Sequence, residues 1–377
     1  MGAGVCTKAD AWMVNTWDSG TQTAPVAVVV DGQAVIAWHS NGQDGNNLGV
    51  YFATYDETGE PVLPETRANL FTTGAQQNPS VAPLGGEAFF IGWESNGQDG
   101  SGLGVFGRMF LTDGSAAAEV GMSASAIGNQ EHISLATLSN DGLAVVWLDA
   151  TDGGTISGST ISSSGLSTPW NEKVFEVGNS AFGGLASTEL ENGSLAVVFE
   201  SKDGFDWDLS GKILESQNNI QWSILSSLQL PDDDNALETH PAVVVSGNNV
   251  FIAYLEEDPT KTSACVVAYD SEFKNPKEKQ CVAPISDGVL AVSVSPSSEG
   301  EAILAWQDSG VPDQIVSAAR ISSDGVIGLV STIDTSEMDP DGAVSVTGFP
   351  DGKAVVVWTR SGVATGLDVW AQFVEVD

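Results

Sequence analysis

Phe89 to Phe110 reads FFIGWESNGQDGSGLGVFGRMF, and a near copy, VIAWHSNGQDGNNLGVYFATY, spans Val35 to Tyr55. Each copy is an apolar run, a Gly/Asn/Asp-rich loop and a second apolar run, which is the pattern of two strands joined by a turn. The rest of the chain reads as worn copies of this unit. An aromatic anchor ends a short apolar run at Trp38, Trp93, Trp147, Phe199, Tyr254, Trp306 and Trp358, at intervals of 55, 54, 52, 55, 52 and 52 residues. A near-constant period repeated seven times marks a repeat architecture. No stretch keeps apolar residues at helical spacing for three turns. Four short strands in each of seven units predict an all-β, seven-bladed β-propeller of four-stranded antiparallel blades.

Working outward, the ends of the chain predict how the ring closes. The run Trp370 to Val376 matches the third strand of a copy and lacks a fourth. Residues 9–17 precede Gly20-Thr21-Gln22 as the end of one unit precedes Gly74-Ala75-Gln76-Gln77. They are expected to form the outer strand of the last blade, which removes the exposed ends of an open array. The expected organisation is a disordered stretch at 1–8 and one propeller over 9–377. Its blades lie at about 18–69, 70–124, 125–178, 179–231, 232–282, 283–334, and 335–377 with 9–17.

The charge narrows the range of partners. Thirteen Lys plus Arg stand against 50 Asp plus Glu, a formal net charge of −37. Nucleic acid, anionic lipid and sulfated polysaccharide are therefore poor partners. The same charge suits salty water or a calcium-rich surface. No apolar run is long enough to span a membrane. The opening MGAGVCTKAD carries no basic and then apolar leader, so a secreted chain would have lost one. Cys265 falls on the third strand of blade five and Cys281 on or near the fourth, where antiparallel neighbours can form a disulfide. That pairing points to an oxidising, extracellular or cell-surface compartment. Cys6 stands alone near the start, and no spacing resembles a CxxC zinc or redox site.

In an antiparallel blade the loop after the anchor and the connection into the next blade open on the same face. That face repeats its polar residues: Gln22, Asn41, Gln43 and Asp44 in blade one, and Gln76 or Gln77, Asn96, Gln98 and Asp99 in blade two. The opposite face carries ordinary turns such as Asp31-Gly32, Gly85-Gly86, Asp141-Gly142, Asn192-Gly193 and Asp351-Gly352. Three readings of the NGQDG loop stand. It is a structural turn, with glycines at positive φ and side chains bonding loop backbone. It is a calcium site, with Asp44 or Asp99 supplying hard oxygen ligands. It is a glycan site, with Asp, Asn and Gln bonding hydroxyls beside an aromatic face. The spacing Asp203, Asp206, Asp208 in blade four is the most ligand-like, and Asp149 with Asp152 in blade three is a weaker version. No glutamate closes an EF-hand frame.

The period anchors are expected to pack between blades. Trp17, Trp170, Trp207 and Trp222 break the period and are candidates for exposed stacking surfaces. His39 follows an anchor directly. His132 and His240 precede inner strands at the place of Asn78, which puts them near the mouth of the central channel. With Glu131 and Glu238 close in sequence, they make an acid–base or metal arrangement conceivable. A hydrogen-bonded loop histidine is the simpler reading.

The motif Trp93-Glu94-Ser95-Asn96-Gly97-Gln98-Asp99-Gly100, with a later G-x-Q-x-x-P, resembles repeats in secreted and cell-surface proteins of marine and other bacteria. The layout is similar to seven-bladed lectin propellers and, more loosely, to calcium-bearing integrin-type propellers. Only Asp203 to Asp208 approaches the aspartate-rich loop of the latter. The lectin resemblance implies sugar sites in the grooves between blades. Some polysaccharide lyases and glycosidases are also seven-bladed. Their active faces carry His, Tyr, Arg or paired carboxylates, and four arginines with four tyrosines supply such a site poorly. The expectation is an extracellular binding or adhesion module, recognising a neutral glycan or a partner protein, with calcium as a possible cofactor. The rivals are a carbohydrate-active hydrolase or lyase at His132 and His240, and a structural spacer in a surface assembly.

Overall fold

The computed structural model describes residues 10–375 apart from 124–125, 151–153, 171–173, 177–183, 204–205, 218–220, 229, 231–235, 285–287, 298–299, 311–313, 337–341 and 362–365. The stretch 1–8, Asp152, and the acidic stretches at 231–234 and 338–341 lie outside those residues.

Seven antiparallel sheets follow one another along the chain, each running from an inner strand outward. Blade one is Gln22–Val30, Gln33–Asn41, Leu48–Tyr55 and Pro61–Arg67; blade two is Gln76–Pro83, Ala88–Asn96, Leu103–Leu111 and Val120–Gly121. The inner strands of blades three to seven are Gln130–Thr137, Leu185–Glu189, Leu237–Ser246, Val289–Pro296 and Val344–Gly348. Each inner strand packs on the inner strands of both neighbours, the seventh against the first, so the inner strands ring a central channel. Blade three splits its outer edge: Ser167–Pro169 and Phe175–Glu176 both pair with Thr155–Ile161.

The ring closes as the sequence predicts. Trp12–Met13 pairs antiparallel with Leu367–Glu375, with Trp12 opposite Ala371 and Met13 opposite Trp370. Asn15 secures the seam: its Nδ2 donates to Asp368 Oδ1 at 2.8 Å, and its Oδ1 accepts from Val369 N–H at 2.7 Å. Asn69 fills the same role one blade on, accepting from Val50 N–H at 2.8 Å.

The core is divided among the blade junctions, with one anchor aromatic in each. Trp38 packs between blades seven and one, Trp93 between one and two, and Trp147 between two and three. Phe199, Tyr254, Trp306 and Trp358 fill the next four junctions in order. Each anchor is almost fully buried, and an aromatic ring removes more apolar area from water than any aliphatic side chain. That is why the period is most visible at this one position. The disulfide forms as expected: Cys265 and Cys281 lie directly opposite across the third and fourth strands of blade five, with Cα atoms 4.1 Å apart.

Blade four departs from the expected loop. Ser201 to Asp208 is a continuation of strands Leu195–Asp203 and Asp206–Ser216, pairing Ser201 with Asp208, Lys202 with Trp207 and Asp203 with Asp206. The ladder here runs on to the pair Asp203–Asp206, whereas in blades one and two it stops at Asn41–Leu48 and Asn96–Leu103.

Candidate functional site at the channel mouth

The site is built from a bulge at the start of the inner strands. In blades one, two, three and five the ladder slips between Thr23 and Val26, Gln77 and Ser80, Glu131 and Ser134, and Thr239 and Ala242. One residue in each slip adopts a left-handed backbone: Ala24, Asn78, His132 and His240, at φ between 50° and 55°. Pro25, Pro79 and Pro241 follow three of them, and a bulge is one of the few places in a sheet where a missing N–H costs nothing. The bulge turns these residues out of the ladder at the channel mouth. Asn78 and His240 are exposed and His132 is partly so.

A side chain from the preceding blade pins the bulges at Asn78, His132 and His240. The residue directly after the anchor accepts a hydrogen bond from the bulge N–H. His39 Nδ1 accepts from Asn78 N–H at 3.2 Å, Glu94 Oε1 from His132 N–H at 2.8 Å, and Glu200 Oε1 from His240 N–H at 2.7 Å. Gln307 Oε1 makes the corresponding bond to Ala343 N–H at 2.9 Å, just ahead of the inner strand of blade seven, where the ladder has no slip. These struts cross from blade one to two, two to three, four to five and six to seven. Glu94 also takes Asn78 Nδ2 at 2.9 Å and Gln77 Nε2 at 3.2 Å. Burial holds its carboxyl above the usual range, against the lowering effect of these donors and of His132. His39 Nε2 meets Thr23 Oγ1 at 2.6 Å, and burial lowers its imidazole to about 4.

His132 and His240 lie in the bulges, near the start of their inner strands. Glu94 and Glu200, from the blade before, engage their backbones, and Glu131 and Glu238 lie one and two residues before them along the strand. Glu238 is 1% exposed and occupies the buried slot held by Gln22, Gln76 and Gln130 in blades one to three. There Gln22 and Gln76 bond the carbonyls of Ser19 and Thr73, 3.1 Å and 3.2 Å away. The glycine of the G-x-Q motif is also explained: a Cβ on Gly20 or Gly74 would lie 2.8 Å or 2.7 Å from the carbonyl oxygen of Asn41 or Asn96. Glu94, Glu200 and His39 share one sequence signal, a polar residue directly after the anchor, which Gln307 and Thr359 also show and which Leu148 and Leu255 break.

The NGQDG loops are closed by their own bonds. Gly42 N–H donates to Asn47 O and Gly97 N–H to Gly102 O, both at 2.7 Å. Asp44 Oδ1 accepts from Asn46 N–H and Asp99 Oδ1 from Ser101 N–H, both at 3.1 Å. Gln43 Nε2 donates to Glu65 Oε1 at 2.6 Å and Gln98 Nε2 to Glu119 Oε1. The second oxygens of these glutamates bind Thr16 and Leu70 in the connections entering blades one and two. Asn41 and Asn96 are exposed at the loop rims. Gln43 Oε1, Asp44 Oδ2 and Gln98 Oε1 are shielded from solvent with no protein donor. Because Glu65 and Glu119 fix the amide nitrogens, turning either amide over would only bring oxygen against oxygen. Buried acceptors of this kind suit calcium, and they equally suit a bound water.

The other predicted positions scatter. Asp203 and Asp206 have side chains outside the described residues, so the blade-four grouping with Asp208 carries no geometry. Among the described residues, the grouping of three potential metal donors is Glu256 with Cys265 and Cys281, and those sulfurs are bonded to each other. Trp207 is partly buried with Lys202 Nζ 5.6 Å from its ring centre. Trp170 and Trp222 are buried together, 6.1 Å apart. Trp17 is 39% exposed beside Glu65 and is the one of the four that presents a surface.

No family model and no curated protein matches the sequence. The structure is similar to that of a protein of unknown function from Dyadobacter fermentans, at 11% identity over 99% of each chain and a TM-score of 0.62. It is similar to a PL25 ulvan lyase bound to -[GlcA(1-4)Rha3S]-, at 9% identity over 93% of each chain and a TM-score of 0.64. The polysaccharide lyase Uly1 aligns at 11% identity over 93% of this chain and 90% of its own, with a TM-score of 0.57. At these identities the likeness establishes the fold.

Proposed function

We propose that this protein binds a neutral glycan outside the cell, at the channel mouth on the face that carries the NGQDG loops. The observation that carries the reading is the strut system. Side chains of blades one, two and four hold the bulges of the blades that follow, so Asn78, His132 and His240 stand in fixed positions with hydrogen-bonding groups. Sugar hydroxyls are bound tightly by polar groups that need no reordering. The described bulge positions carry no lysine or arginine, and the chain is at −37, so a uronate or sulfated polymer is disfavoured. Propeller enzymes that act on polysaccharide share the fold, which supports a carbohydrate ligand and leaves its identity to the site. The disulfide of blade five supports an extracellular setting.

Calorimetric titration of the full chain with a panel of neutral oligosaccharides tests this, with reducing-end and unsaturated-product assays run alongside. Saturable binding without turnover, weakened about tenfold or more by Asn78→Ala or His132→Ala, is the expected result. Turnover abolished by changes at His132 and His240 would replace the module with an enzyme, and the absence of saturable binding would remove the glycan. Calcium is a second part of the proposal: Asp44 Oδ2 and Gln43 Oε1 in blade one, with Gln98 Oε1 and Asp99 in blade two, would hold it. A melting temperature that rises with micromolar calcium after chelation, and does not rise with added salt alone, is the expected result there. No calcium-specific rise would leave the loops as turns.

A further inference from the structure

We propose that His39 is an acid-sensitive positioning residue that releases the Asn78 bulge, and with it one side of the channel mouth, when its imidazole takes a proton. The release follows from the bonds at the ring. Asn78 N–H donates to Nδ1, so Nδ1 carries no hydrogen, and the ring proton sits on Nε2, donated to Thr23 Oγ1. An imidazolium carries hydrogen on both nitrogens. Its Nδ1–H would face the Asn78 N–H, turning an acceptor–donor pair into two opposed donors. The equivalent struts do not fail this way. A protonated Glu94 or Glu200 keeps a carbonyl oxygen that can accept, and Gln307 does not titrate.

The surroundings leave the imidazole as the switching group. The strands flanking it in its own blade, Gln22–Val30 and Leu48–Tyr55, hold only Tyr51 and Tyr55 as titratable groups. Burial first, with nearby carboxylates adding to it, raises both to about 12, so they stay neutral. The facing inner strand Gln76–Pro83 holds none. The next strand, Ala88–Asn96, holds Glu94, which is engaged by Gln77, Asn78 and the His132 N–H. Burial is what keeps the imidazole neutral until acid pH, so the strut holds at neutrality and fails as the medium approaches pH 4.

The consequence for a ligand rests on the glycan reading; the release itself does not. Residue-resolved amide exchange on the full chain at pH 6.5 and pH 4, corrected for intrinsic rates, tests the release without any ligand. The expected result is an about tenfold or greater loss of protection at Asn78 at pH 4, with His132 and Ala343 little changed. His39→Gln, whose amide can accept from Asn78 and donate to Thr23, is expected to keep the protection at both pH values. Unchanged protection at Asn78 in the unaltered chain overturns the proposal. So does a loss in His39→Gln equal to that in the unaltered chain. A neutral oligosaccharide that binds with the same acid sensitivity, lost in His39→Gln, extends the release to the ligand. If no oligosaccharide binds, the glycan reading falls and the exchange result still decides the strut.

Discussion

The junction between blades one and two and the junction between blades four and five hold equivalent places in the ring but share almost no chemistry. The first is aromatic, with Phe52, Phe89 and Phe110 in contact around Trp93, at centroid distances from 4.7 to 5.6 Å. Its strut is an imidazole and its upper loop is NGQDG. The second is filled by aliphatic residues with Tyr254, Tyr269 and Phe273, beside the Cys265–Cys281 disulfide. Its strut is a carboxylate, and the ladder below its upper connection runs on to the pair Asp203–Asp206. Even the lower turn differs: Phe273 takes the left-handed position, φ 60°, that Gly59 and Gly114 hold in blades one and two. The difference teaches that the repeat constrains where a group stands and what bond it makes. It does not constrain which residue supplies the bond, which is why the copies wear so unevenly in sequence.

The largest effect that would break this equivalence is at the anchors. Trp93→Ala and Tyr254→Ala are each expected to cost about 3–5 kcal/mol in chemical denaturation. A cost confined to Trp93 would mean that the disulfide junction no longer depends on its anchor. Next, reducing Cys265–Cys281, a loop of 16 residues, should lower stability by about 3 kcal/mol. Denaturation curves with and without reductant check this, and the loss should be absent in Cys265→Ala.

Acid should separate the imidazole strut of His39 from the carboxylate strut of Glu94 between blades two and three. The imidazole of His39 is lowered in the folded state from 6.5 to about 4. Its contribution is therefore whole above pH 6.5 and is lost as the pH falls toward 4, by at most about 3 kcal/mol. Glu94, raised by burial, has the opposite sign: in its titration window, stability falls as the pH rises. Stability measured from pH 7 to pH 4 should be flatter in His39→Gln than in the unaltered chain, and a parallel curve would remove the imidazole from the account. The smallest effect is at the carboxylate struts. Glu200→Ala strands the His240 N–H and should cost about 1–3 kcal/mol, with much of the loss recovered in Glu200→Gln. An equal loss in both variants would show that the charge, and not the bond, is what matters there.

The fold was legible because the anchors are large, buried and periodic, and because Gly and Asp turns punctuate the strands between them. The closing strand was legible for a related reason, since the chain ends one strand short of a unit. The struts were not. His39, Glu94 and Glu200 act on residues 39, 38 and 40 positions away, in a neighbouring blade, through a backbone N–H. A backbone donor leaves no mark in the sequence, and a left-handed residue can be Ala, Asn or His. The NGQDG motif was conspicuous for a different reason. Its glycines and Asx side chains are needed to close a wide loop, and its glutamine reaches a glutamate 21 or 22 residues away that no local pattern reveals.

The seam at Asn15 and Asp368 joins residues 353 positions apart. The segment that completes the last blade therefore leaves the ribosome well before its partner, and Asn15 must wait for 353 further residues before Asp368 is made. Until then six blades can stack, but the ring stays open at one junction, with apolar faces of the first and last blades uncovered. Synthesis of this protein thus carries a long interval in which neighbouring nascent chains can exchange closing strands, and dense polysomes are where such swapped pairs should first be seen.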